Sequence, residues 1–190
     1  MKAIKKENIV TQSLDFSCGA AGMSTLMNFY LGETVSEEEI INEMLNLVSL
    51  DKVIERRGFS LLDLKTFAES RGYKVTGYKM DANFLRNLRQ PVLVPINFRS
   101  YSHFVIVKGI YGDRVFIADP ASGNMSMKIS KFLKMWHNGI GLVIEDEDAD
   151  PDEQYALKIN EDDLVMNDYR RLNRLLTDSL LRTAVFPSEF

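Results

Sequence analysis

Apolar positions in the first part of the chain recur at helical spacing. Between 18 and 31, Ala20, Met23, Met27 and Tyr30 share one helix face, with Ala21 and Leu26 beside it. Ser17 is suited to cap the start of this helix and Gly32 to stop it. Ser36-Glu37-Glu38-Glu39 has the form of a capping box, and Ile40, Ile41, Met44, Leu45 and Val48 follow on one face. Ser60 to Asp63 repeats that signal more weakly and predicts a helix to about Arg71, ended at Gly72. The period then shortens to two. Lys74–Met80 alternates like a strand, Asp81 opens a short helix through Leu88, and Pro91–Ile96 reads as a buried strand whose prolines limit its pairing. His103–Ile110 and Arg114–Ala118 flank Tyr111-Gly112-Asp113 and predict a hairpin. Met125–Ile129 alternates again, Ser130–Trp136 predicts a helix, and Gly141–Ile144 a last strand. Helices first and strands second argue an α+β fold, an antiparallel sheet packed on an N-terminal helical half.

Composition narrows the function. The 190 residues are 45% hydrophobic and 26% charged, a globular balance, and the net charge of −4 argues against a general nucleic-acid binder. No apolar run approaches the roughly 18–20 residues of a membrane-spanning helix. With one cysteine and two histidines, a disulfide scaffold and a cysteine-based zinc site are excluded, and neither a metal nor any other cofactor is expected. Phosphate-loop and dinucleotide-binding motifs are absent. Met1 to Lys6 is charged with no apolar stretch behind it, so the chain as written reads as cytoplasmic.

Residues 145–154 form a mostly acidic run and read as a solvated linker; they lack the spacing and glycine of a calcium loop. Beyond them Val165, Tyr169, Leu172, Leu176 and Leu180 make an apolar stripe, expected to pack back on the domain, with docking of a protein partner as the alternative. The expected organisation is a domain over 1–144, a linker over 145–160, and an amphipathic helix and tail over 161–190.

The candidate chemistry centres on the lone cysteine. Cys18 falls at a predicted helix start, where backbone N–H groups favour a thiolate, and Gly19 leaves space beside the sulfur. His103 heads an apolar strand, placed to face a cleft and take the thiol proton. Asp119 ends the next strand, and antiparallel pairing brings it to the edge where His103 begins, able to orient the imidazole. Gln12, six residues before Cys18, can donate to an oxyanion together with the Cys18 N–H.

These residues carry a resemblance. The segment from Gln12 to Ala21, with Ser17-Cys18-Gly19, resembles the active-site segment of the bacterial papain-like cysteine peptidases that process double-glycine leader peptides. His103-Phe104-Val105-Ile106-Val107 and Ala118-Asp119-Pro120 with Gly123 match that family's later motifs, and the resemblance covers about residues 9–144. It implies a papain-like fold, with Cys18 as nucleophile, His103 as general base and acid, Asp119 as orienting carboxylate and Gln12 as oxyanion donor. It further implies a peptide or protein substrate cut after Gly-Gly, a stand-alone member without transporter domains, and an exported location if the start has been trimmed. A Cys-His-Asp acyltransferase and a non-catalytic peptide-recognition module are the rival readings.

Overall fold

Two local signals organise the helical half. Ser36 and Ser60 each accept a hydrogen bond from the backbone N–H three residues on, while Glu39 and Asp63 reach back to the Ser36 and Ser60 N–H groups. These capping boxes start α2 (Glu37–Leu47) and α4 (Leu61–Ser70), as the sequence predicts. The structure, a computed structural model, describes residues 6–98, 101–145 and 155–165. Ahead of α2 lies α1 (Cys18–Phe29), and between α2 and α4 lies α3 (Leu50–Arg56). α3 is not among the elements the sequence pattern predicts: its short apolar set Leu50, Val53 and Ile54 leaves Leu50 and Ile54 exposed with only Val53 packed on the core, and it ends on Arg57 in the left-handed region (φ 57°).

α1 departs from its expected one-faced pattern. Every residue from Cys18 to Met27 is buried. The physical reason is its central position: a Cβ built on Gly22 would lie 2.9 Å from Leu93 Cδ1 of the sheet, and one on Gly19 3.2 Å from Leu64 Cδ1 of α4. Small residues let the helix sit between the two. Ser17 is not the expected side-chain cap. Its backbone (φ −94°, ψ 9°) is not in the extended cap conformation, and its hydroxyl instead donates to Leu14 O (2.9 Å) and accepts from Leu14 N (3.1 Å). The first turn of α1 therefore keeps its N–H groups clear of any side-chain cap.

The second half forms one six-stranded sheet, in spatial order β1-β6-β2-β3-β4-β5, antiparallel throughout. Its strands are β1 (Lys74–Lys79), β2 (Val92–Phe98), β3 (Tyr101–Tyr111), β4 (Arg114–Asp119), β5 (Gly123–Lys128) and β6 (Ile140–Glu145). α5 (Ala82–Arg86) and α6 (Ile129–Met135) are interleaved. β2 pairs with β3 along its whole length but with β6 at Leu93–Leu142 alone. Pro95 has no N–H to give on that side, where its carbonyl accepts from His137 N at 3.0 Å.

Alternation along the strands divides the core in two. Leu93, Phe104, Ile106, Ala118, Leu142 and Ile144 face α1, α2 and α4. Val94, Val105, Val107, Ile117 and Val143 face the other way, onto Leu85, Phe132 and Trp136. The sheet is thus covered on both faces, where the sequence suggested helices on one.

Residues 155–165 also lie on the fold. Leu157 is buried in the helical-side core, Tyr155 packs edge-on against Tyr30 at 4.9 Å, and Tyr155 Oη donates to Arg89 O at 2.9 Å. The last residues of the expected linker, 155–160, are therefore seated on the domain. Lys108 of β3 and Asp163 form a buried ion pair at 2.5 Å, their side chains 3% and 6% exposed. The acidic run over 146–154 and the apolar stripe from Tyr169 on lie outside the described residues. Asp163→Ala strands the Lys108 ammonium without its partner. It is expected to destabilise the protein by about 3–5 kcal/mol in denaturant unfolding, most of which Lys108→Met with Asp163→Leu restores.

Candidate active site

Three of the four expected site residues meet. Cys18 opens α1, buried and within reach of the head of β3, where Phe104 N donates to its Sγ at 3.5 Å. His103 stands one residue earlier on β3, buried, with Nε2 2.8 Å from Asp119 Oδ1. The Cys18 sulfur lies near enough to the imidazole to act on its pKa, and with Nε2 committed to Asp119 the ring nitrogen left for it is Nδ1. The hairpin register explains the meeting. Ile106 pairs with Ala118, so continuing the ladder sets Asp119 opposite Val105 and makes His103 its diagonal neighbour on the same face.

Asp119 is itself held. Pro120 has no N–H, and the next two backbone donors, Ala121 N (2.8 Å) and Ser122 N (3.3 Å), both reach Asp119 Oδ1. Burial acts to raise the Asp119 pKa, but hydrogen bonding and charge from His103, helped by these two N–H groups, hold it below its ordinary value. Burial likewise acts to lower the His103 pKa. Hydrogen bonds with Asp119 and Cys18, and the negative charge both can carry, outweigh it and push the imidazole up to about 9. The site is thus built to keep His103 protonated beside the sulfur at neutral pH.

Gln12 is placed differently. Its backbone N donates to Pro120 O at 3.0 Å, which ties the loop before Cys18 to the Asp119 turn. Its side-chain amide, however, donates to Leu14 O (2.9 Å) and Asp15 O (3.4 Å), and its Oε1 is buried without a hydrogen-bond partner among the described residues. The residue borders the site, but its amide bonds within its own loop.

One residue at this loop escaped the sequence reading. Glu37, the first residue of α2, is buried, and both its carboxylate oxygens accept from Ser13 N, at 3.0 and 3.1 Å. Among three consecutive glutamates, each a plausible first-turn acid, nothing in the sequence singles it out.

A model of the Peptidase C39 family matches residues 6–149. The chain belongs to the peptidase C39 family. Among curated relatives, a probable functional amyloid protease, FapD, of Pseudomonas fluorescens is 38% identical over 143 residues, 75% of this chain and 62% of the relative. Its counterpart from Pseudomonas aeruginosa is 36% identical over 133 residues, 70% of this chain and 58% of the relative. The chain spans about three-fifths of the length of these two relatives. Among solved structures, a double glycine motif protease from an AMS/PCAT transporter, in complex with its leader peptide, matches with a TM-score of 0.60 and 26% identity. That match covers 74% of this chain and 91% of the other. The α+β fold is the papain-like fold of C39 peptidase domains.

Proposed function

We propose that this C39 chain is a cysteine peptidase, hydrolysing peptide bonds through an acyl-thioester on Cys18. The observation that carries the reading is the buried meeting of Cys18, His103 and Asp119, with His103 Nε2 bonded to Asp119 and the residue after it, Phe104, bonded to the Cys18 sulfur. In this reading the proton of Cys18 already rests on His103, and the thiolate attacks the scissile carbonyl carbon. The developing oxyanion is held by the Cys18 N–H, left clear at the start of α1, and by the Gln12 amide. The long Gln12–Asp15 bond of 3.4 Å is the one released for it. His103 Nδ1 gives its proton to the leaving amine, and the C–N bond breaks. Water, deprotonated by His103, then attacks the thioester and frees the acid. Asp119 keeps the ring oriented and stabilises its positive charge throughout.

The substrate we assign is a peptide carrying Gly-Gly before the scissile bond. The similarity to a double glycine motif protease bound to a leader peptide supports this. The test is a pair of matched peptides, one with Gly-Gly and one with Ala-Ala, the products identified by mass spectrometry. Cleavage after Gly-Gly, with the alanine peptide cut at least about 100-fold more slowly, is expected, since a channel that admits no side chain rejects even a methyl through steric overlap. Equal cleavage removes the specificity; no cleavage of either removes the assigned substrate.

A further inference from the structure

Glu37 has a burial that its place on a helix does not explain. Its neighbours Glu38 and Glu39 sit in the same first turn, exposed, and already supply negative charge at the N-terminus of α2. Glu37 is 7% exposed, and among the described residues the hydrogen-bond donor it meets is the Ser13 N–H, shared between its two oxygens. Both of its oxygens converge on the backbone N–H of a loop residue 24 positions earlier. What it contacts is informative. Ser13 follows Gln12, whose own N–H is bonded to Pro120 O. The Gln12 backbone is therefore pinned on both sides: its own N–H by the Asp119 turn, and the following Ser13 N–H by α2.

We infer that Glu37 is a positioning residue for the oxyanion side of the active site: through the Ser13 N–H it fixes the backbone that carries Gln12. The inference rests on the peptidase reading, and on Gln12 as the donor. It separates two parts of the site. Formation of the thiolate depends on His103 and Asp119, which Glu37 does not touch; stabilisation of the tetrahedral oxyanion depends on the loop it anchors.

The test compares Glu37→Leu and Glu37→Gln with the native chain. Three readouts are taken: the iodoacetamide alkylation rate of Cys18, kcat and KM for a Gly-Gly peptide, and affinity for the corresponding peptide aldehyde, whose adduct with Cys18 carries the oxyanion. In Glu37→Leu, kcat and aldehyde affinity are expected to fall about 10–100-fold, the scale of a displaced oxyanion donor. KM and the alkylation rate stay within about twofold. Glu37→Gln, which keeps an oxygen for the Ser13 N–H, recovers most of the loss. Native kcat in Glu37→Leu overturns the inference. So does a parallel fall in alkylation rate, kcat and thermal midpoint, which marks a role in folding only. If the native chain neither turns over the peptide nor binds the aldehyde, the peptidase reading fails and takes the inference with it. Silence of the native protein, rather than of the variant, tells that case apart.

Discussion

Cys18→Ala is expected to leave a folded protein with no measurable peptide hydrolysis. Cys18 is the chain's single thiol, so no other residue can form the thioester, and a loss of several orders of magnitude follows from removing a covalent nucleophile. The structural cost is small. Cys18 is buried at a helix start among small residues, and alanine is a good helix former that removes one sulfur atom. The measurement pairs peptide turnover with thermal unfolding and peptide binding. Lost turnover with retained unfolding midpoint and binding is the expected result. Residual turnover in pure Cys18→Ala protein would place the chemistry elsewhere in the chain.

The second large effect concerns Asp119. Its carboxylate accepts from His103 Nε2 at 2.8 Å and is a principal cause of the imidazole pKa of about 9. Asp119→Asn keeps the shape and removes the charge. The alkaline limb of peptide hydrolysis, set by loss of the His103 proton, is expected to move down from near pH 9 toward the ordinary imidazole value of about 6.5. The rate at neutral pH falls about 100-fold or more as the ring loses its orientation and its stabilised charge. Stability follows the same titration. The His103 pKa is higher in the folded chain than its ordinary 6.5. Its contribution is therefore fully present below about pH 6.5 and lost as pH rises through about 9. The Asp119 pKa is depressed, so its contribution is present above the ordinary 3.8 and lost as pH falls below that. Denaturant unfolding across pH 6 to 10 should show the native chain weakening where Asp119→Asn stays flat. An unmoved alkaline limb in Asp119→Asn would mean that a group other than His103 sets it.

Local signals were the ones legible in the sequence. The capping boxes at Ser36 and Ser60 need four residues each, and both form. The β3–β4 hairpin needs a turn and two apolar runs, and its arithmetic alone brought His103 and Asp119 to one edge. What failed was set by neighbours distant in the chain. The spacing of Ala20, Met23, Met27 and Tyr30 gives α1 a single apolar face; its burial on every side comes from Leu64 and Leu93 closing on Gly19 and Gly22. Ser17 has the right residue type for a cap, but the turn at Leu14–Ser17 takes its hydroxyl first. The Lys108–Asp163 pair and the anchoring of Ser13 by Glu37 join groups 55 and 24 residues apart, and no local pattern announces either.

The long reach within the site has a consequence for when the chain can act. The sulfur and the strand that faces it are 86 residues apart, and that contact exists only where β3 is docked on α1. Such non-local closures come late in folding. During synthesis the nucleophile leaves the ribosome long before its base, so a nascent chain carries a thiol but no protease. On the proposed peptidase reading, hydrolytic competence thus arrives with the docking of β3, and a partly made or locally unravelled copy is expected not to cut the peptides around it.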